Sequence, residues 1–173
     1  MRRAWALVPA VLSIAAIGCG YHTAGHLTTL PQDIRTIAVP DFINNSHSYR
    51  LDQMLTEAVV REFTTRTHYH IENDPRHSPD AVLQGTILST VAAPSTYDSQ
   101  TGRASSVLVT VAMNVVLTDS HGKILYQNPS YQFREQYQVS RELSSFFEED
   151  TPALERLSRS FARTLVSNIL EGF

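Results

Sequence analysis

Val107-Leu108-Val109-Thr110-Val111-Ala112-Met113-Asn114-Val115-Val116-Leu117-Thr118 alternates without a break. Val107, Val109, Val111, Met113, Val115 and Leu117 share one side. The other side carries Leu108, Thr110, Ala112, Asn114, Val116 and Thr118. Successive strand side chains point to opposite faces, so this is a long strand with one wholly apolar face. Asp119-Ser120-His121-Gly122 follows as a hairpin turn. Residues 123–139 read as the returning strand, broken or bulged near Asn128-Pro129 because proline cannot donate to the ladder.

Upstream, residues 81–91 alternate too. Ala81, Leu83, Gly85, Ile87 and Val91 fall on one side, with Gln84, Thr86 and Thr90 on the other. Residues 34–40 and 68–71 read as short strands. Asp41 to Ser46 is a turn-forming stretch, as are Asn73-Asp74-Pro75 and Ser78-Pro79-Asp80. The remaining segment, residues 92–106, holds Pro94, Asp98 and Gly102 and reads as a loop joining the two longest strands.

The period changes at two places. Leu51, Leu55, Ala58, Val59 and Phe63 form a helical stripe, so a first helix is expected over about 48–66, with Ser48 as N-cap and Asp52 in the first turn. Leu154, Leu157, Phe161, Leu165 and Ile169 form a second stripe. Thr151-Pro152 offers it an N-cap hydroxyl and a proline at the first helical position, and Gly172 lies just past its end. Glu148, Glu149 and Asp150 suit the helix dipole.

Strands joined by short turns pair antiparallel, and two helices with one apolar stripe each must cover one sheet face. The expected fold is α+β: a two-layer sandwich of a mostly antiparallel or mixed sheet with two helices on one face. The opposite sheet face keeps Thr, Asn, Gln and some aliphatics, and is a candidate contact surface.

The chain of 173 residues fits one domain of ordinary size. Its first eighteen residues read differently. Arg2 and Arg3 precede fourteen uncharged residues, Ala4 to Ile17, interrupted by Pro9. This is shorter than the roughly 20 residues of a bilayer-spanning helix and reads as a secretory signal. Ala16-Ile17-Gly18-Cys19 resembles a bacterial lipobox, with Ala16 where leucine is usual. Cys19, the single cysteine, is the expected lipidation site. Two acyl chains already anchor a protein stably. Gly20, not Asp, implies outer-membrane sorting by resemblance to the enterobacterial rule. The expected organisation is a signal peptide at 1–18, a lipidated leader at 19–33 and one domain at 34–173. Removal of residues 1–18 would leave 155 residues with 12 basic and 17 acidic side chains, a net charge of −5.

That charge argues against nucleic-acid binding. One cysteine excludes an internal disulfide and multi-cysteine zinc sites. His68 and His70 share a strand face, but two ligands make no metal site. No nucleophile elbow, phosphate-binding glycine loop or His-Glu-x-x-His is present. The expectation is a non-enzymatic binding or structural protein without a cofactor beyond the lipid on Cys19.

The mature start Cys19-Gly20-Tyr21-His22, the run Leu30-Pro31 with Ile34 to Asn44, the strand Ala81-Val82-Leu83-Gln84-Gly85-Thr86-Ile87 and the terminal amphipathic helix together resemble the LPS-assembly lipoprotein family (LptE). The resemblance covers nearly the whole mature chain. It implies an outer-membrane, periplasm-facing lipoprotein that plugs the LPS-translocation β-barrel, supports barrel assembly and helps deliver lipopolysaccharide to the outer leaflet. Its implied partners are that barrel, lipopolysaccharide itself and the membrane. A barrel lumen is polar, which the polar-to-mixed sheet face suits. The net charge of −5 does not suit a general sink for phosphorylated lipid, so such contact would be local. A second resemblance, through Ile37 to Phe42 and Asn44-Asn45-Ser46, is to lipoproteins that activate peptidoglycan synthases or form curli-type secretion channels.

Within a barrel, the loop at 92–106 would reach farthest. Tyr97 and Arg103 are its candidate contacts with barrel or lipopolysaccharide, since guanidinium pairs bidentately with phosphate. Lys123, the only lysine, is expected at the opposite end of the sheet.

Overall fold

The computed structural model describes residues 30–138 and 146–172. The signal segment, Cys19, Gly20 and most of the leader therefore lie outside the described residues. Six strands and two helices follow in the order β1 (Thr36–Ala38), β2 (Ile43–Asn44), α1 (Leu51–Arg66), β3 (His70–Glu72), β4 (Ala81–Tyr97), β5 (Ala104–Asp119), β6 (Ile124–Gln138) and α2 (Phe146–Glu171), with a short 3₁₀ turn at Pro75–His77.

One mixed sheet has the order β3-β1-β4-β5-β6, with β2 added to β4. β1 pairs parallel with β3 and β4, and β2 pairs parallel with β4. The three long strands are antiparallel neighbours. Both helices lie on one face. Leu51, Leu55, Val59 and Phe63 of α1 share a single core with Leu157, Phe161, Leu165 and Ile169 of α2 and with Val109, Val111, Met113, Val115 and Leu117 of β5. The α+β two-layer architecture is thus as the alternation and the two stripes imply. The helices run side by side in the same direction: Arg66 near the end of α1 donates from Nη1 to Ser167 Oγ of α2 at 2.8 Å, while Tyr49 and Arg50 lie beside Leu154.

Several local expectations are corrected. The segment at 92–106 is not a loop: β4 continues to Tyr97 and β5 begins at Ala104. β2 pairs with β4 only at Thr86 and Ile87. Beyond that point β4 is hydrogen-bonded to β5 alone, so Pro94 sits on an edge, where proline is tolerated. Its partner across the ladder is Val107.

Val91 does not share the core face of Ala81, Leu83, Gly85 and Ile87. A bulge between Ile87 and Ser89 inserts Leu88 and reverses the alternation. Val91 is consequently 58% exposed. The bulge at Asn128-Pro129 is found where expected, between the Val115–Asn128 and Met113–Tyr131 pairs.

Ser48 does not cap α1. Arg50 takes the N-cap position with a left-handed backbone, φ 57°, and no side-chain cap. The reason is local: Asn44 Nδ2 donates to the Ser48 carbonyl at 2.8 Å, and Asn44 Oδ1 accepts from Ser46 N–H and Oγ–H. Residues 44–48 thereby close a network of their own before the helix starts.

Helix α2 begins at Phe146, five residues before Thr151. Residues 146–150 contain no Gly or Pro to stop it, and Pro152 falls inside, removing one backbone donor. Glu148, Glu149 and Asp150 still occupy its first turns. Gly172 ends the helix with φ 73°, its N–H donating to the Asn168 carbonyl at 2.9 Å.

Asp80, within a stretch read only as a connection, fastens three segments. Its Oδ2 accepts from the N–H groups of Arg35 and Thr36, each at 2.8 Å. Its own N–H donates to the Thr36 carbonyl at 3.0 Å, and its carbonyl accepts from Ser120 N–H at 2.9 Å. The two N–H bonds hold the carboxyl below its ordinary range. A depressed folded value means this stabilisation is complete above the unfolded value, near 3.9, and is lost as pH falls through the lower folded value. Asp80→Asn should therefore lower the urea midpoint at neutral pH, and the gap to the unsubstituted chain should close as the pH falls below the ordinary carboxylate range.

Candidate functional site

Beyond the bulge at Leu88, the far half of β4 runs along β5 to the end of the sheet. Every residue from 91 to 97 is exposed. At its tip, six residues (98–103) reverse the chain. Asp98 N–H donates to the Arg103 carbonyl at 2.8 Å, and Gly102 N–H returns to the Asp98 carbonyl at 2.8 Å. Asp98 Oδ1 accepts from the N–H groups of Gln100 and Thr101, each at 2.9 Å. Gly102 takes φ 65°, a conformation that explains glycine there.

The structure brings the two sequence-predicted contact residues together. Tyr97 is the last residue of β4 and Arg103 directly precedes β5, where Tyr97 pairs with Ala104. Tyr97 is 65% exposed. Arg103 is exposed and its guanidinium makes no ion pair with a described residue. Lys123 lies beyond the other end of β5, whose sixteen residues span roughly 50 Å.

Just below the tip is a cluster of hydroxyls that the loop reading missed. Ser106 Oγ is 2.8 Å from Ser95 Oγ and 2.5 Å from Thr96 Oγ1, and it accepts from Gln136 Nε2 at 2.9 Å. Thr96 Oγ1 is also 2.8 Å from Ser105 Oγ. Ser106 is buried to 3% exposure. The cluster ties β4, β5 and β6 together at the point where the hydrophobic layer ends. Its trace in the sequence is the Ser/Thr pair on each side of the turn, at 95–96 and 105–106. Tyr97 and Arg103 are therefore carried on a paired, cross-linked hairpin and not on a slack loop. Such a tip can present an aromatic ring and a bidentate cation at a fixed spacing.

The sheet face away from the helices is neither dry nor uniformly polar. Across it lie Thr86, Asn114 and Thr110, then Gln127, Gln132, Arg134 and Gln136 along β6. Leu88 and Val91 add exposed aliphatic surface. Among the described residues no group of His, Asp and Glu could hold a metal ion, and no helix is long and apolar enough to cross a membrane.

These features define a small two-layer α+β module with a long hairpin and a mixed polar sheet face. The family model described as LptE, lipopolysaccharide-assembly, matches residues 34–169, and the chain belongs to that family. Its general role is accordingly lipopolysaccharide assembly, in a family of envelope lipoproteins that are not enzymes. No curated protein matches the sequence.

Among solved structures, the chain is similar to the hypothetical protein CT253 of Chlamydia trachomatis (12% identity, TM-score 0.54, covering 79% of this chain and 95% of that one). It is also similar to a PelC variant dodecamer subunit of Paraburkholderia phytofirmans (14%, 0.51, 79% and 89%). A third is the minor lipoprotein of Acinetobacter baumannii (8%, 0.50, 80% and 94%). At these identities the likeness is one of fold.

Proposed function

We propose that this protein is an outer-membrane lipoprotein, anchored on the periplasmic side through Cys19, that plugs the LPS-translocation β-barrel and supports its assembly. The barrel is its principal partner, and lipopolysaccharide passes against the β4–β5 tip. The observation that carries the reading is the hairpin itself: in a chain of this family, its β4 arm is exposed from 91 to 97, and it ends in exposed Tyr97 and in Arg103, which has no ion-pair partner among the described residues. A plug must offer a polar lumen a stiff, hydrated surface, and the Thr/Asn/Gln face supplies one. Arg103 would give a phosphate a local cation on a chain of negative net charge.

The test is photocrosslinking from positions 97 and 103, with position 123 as the comparison, followed by isolation from detergent-extracted outer membranes. A large barrel should co-purify, and adducts to barrel or lipopolysaccharide should form from 97 and 103. Capture from 123 alone would reverse the proposed orientation. A stoichiometric complex with a peptidoglycan synthase in place of the barrel would support the other resemblance.

The anchor is tested separately. The mature protein is expected to begin at Cys19, and its intact mass to show loss of residues 1–18 together with added acyl chains. Cys19→Ala should release the protein from the membrane fraction, because the acyl chains are the proposed anchor and a mature chain of net charge −5 has no overall attraction to an anionic membrane surface. An unmodified chain still starting at Met1 would exclude lipidation.

A further inference from the structure

Away from the hairpin, residues of α1 and α2 toward their N-terminal halves line a cleft of about 500 Å³. Arg50, Arg61 and Arg159 line it, together with Glu57 and Glu155. None of these five charges forms an ion pair with a described residue. Arg50 donates from Nε to Gln53 Oε1 at 3.0 Å. Ser158 also lines the cleft. It is 3% exposed, and its hydroxyl has no hydrogen-bond partner among the described residues. A buried, unsatisfied hydroxyl is costly, and here a ligand can relieve it.

A second cavity adjoins the first at Leu154, which lines both. It holds about 160 Å³; Ala92, Val109, Leu154 and Leu157 give it an apolar wall, and Ser48, Glu135 and Tyr137 also line it. Thr90 contributes a buried hydroxyl that is likewise without a partner among the described residues. A charged cleft thus opens beside a mainly apolar pocket that has polar groups at its wall.

We propose that this pair of cavities binds a zwitterionic phospholipid. The phosphate takes the guanidinium groups and the Ser158 hydroxyl. The ammonium group takes Glu57 and Glu155. An acyl chain enters the apolar pocket, where Thr90 donates to its ester carbonyl. The mixture of charges selects this class. A simple anion would meet two carboxylates, and a simple cation three guanidinium groups. A ligand carrying both charges close together satisfies both sets. Neither Tyr97 nor Arg103 is involved, so the site is separate from the role proposed above and does not rest on it.

The experiment is calorimetric titration of the full mature chain with dihexanoyl-phosphatidylethanolamine below its micelle concentration. Dihexanoyl-phosphatidylglycerol and the water-soluble headgroup glycerophosphoethanolamine are titrated alongside. Saturable binding of the ethanolamine lipid is expected, stronger than that of either comparison. Arg61→Gln with Arg159→Gln should weaken it by roughly tenfold or more, the scale of lost charge-assisted hydrogen bonds. Glu57→Gln with Glu155→Gln should erase the preference for ethanolamine over glycerol. Ala92→Phe, which fills the apolar pocket, should weaken lipid binding and spare the headgroup. All these positions are exposed, so circular dichroism should show folded variants. The proposal is overturned if the folded chain binds no lipid, if the arginine variant binds as well as the unsubstituted chain, or if the glycerol lipid binds equally well. It is also overturned if the headgroup alone matches the lipid. No barrel enters the assay, so its failure leaves the plug reading untouched, and failure of barrel capture leaves this site untouched.

Discussion

Phe161→Ala is expected to destabilise the domain by about 3–5 kcal/mol, the range for deleting a fully buried aromatic ring. Phe161 has no exposed surface and lies at the centre of the α2 stripe. Its ring stands edge-on to two rings of β6: Tyr131 at 5.7 Å between centroids and 85°, and Phe133 at 6.1 Å and 75°. These contacts hold α2 against β6, which among the described residues pairs with β5 alone. Their loss adds to the cavity left behind, because edge-to-face pairs contribute about 0.5–1.5 kcal/mol beyond burial. A domain of this size has only about 5–15 kcal/mol in total, so the abundance of the variant in cells should fall. Urea unfolding measures the loss directly. A second readout locates it. Burial pushes the Tyr131 hydroxyl up to about 12. In the folded variant, water reaching Tyr131 should bring its ionisation back toward the ordinary value near 10, visible as phenolate absorbance on alkaline titration. Phe161→Leu, which keeps much of the volume, should shift both measurements far less.

The same core shows which parts of the structure a reader of the sequence can reach. Residues 107–118 face as their alternation requires, since an unbroken period of two buries one side whatever surrounds it. The helical stripes hold for the same reason. The failures have a common cause, which is that a neighbour decides the outcome. Val91 continues the pattern of Ile87 in the sequence, but an inserted Leu88 turns it outward. Pro94 looks like a loop residue and is tolerated in a strand only because β2 has already ended. Ser48 is a good cap by composition, yet Asn44 claims its carbonyl first. Of the candidate site, Tyr97 and Arg103 were visible as an aromatic and a lone cation between strands. Their fixed presentation was not, because it depends on Ser95, Thr96, Ser105 and Ser106 meeting across the ladder. The interhelical cleft left no sequence signal at all: its charges come from two helices about a hundred residues apart and read singly as solvated side chains.

Gly85→Val is the second change expected to have a large effect, at about 1–3 kcal/mol, the usual cost of overpacking a core. Gly85 lies within β4, opposite Val115, at a position with the apolar side of the strand. A Cβ there would come within 2.8 Å of Cδ1 and Cγ of Phe42. Glycine is needed for this close approach and not for an unusual backbone angle. Phe42 was assigned by its sequence to a turn, but it is a core residue, 3% exposed. It has little freedom to retreat. Its N–H donates to Thr56 Oγ1 of α1 at 3.0 Å, and the next two residues are pinned to β4 as β2. Thr56 in turn donates to the Asp52 carbonyl at 2.8 Å. A side chain at 85 must therefore displace the ring, and with it the short parallel strand and the first turns of α1. Gly85→Ala should show the same effect at smaller size. The decisive measurement is the double variant Gly85→Ala with Phe42→Leu. If the collision with the ring is the cause, the alanine should cost much less once the ring is gone, giving a coupling energy of about 0.5–3 kcal/mol in a double-mutant cycle. Strictly additive losses would place the penalty in the strand itself and not in its contact with Phe42.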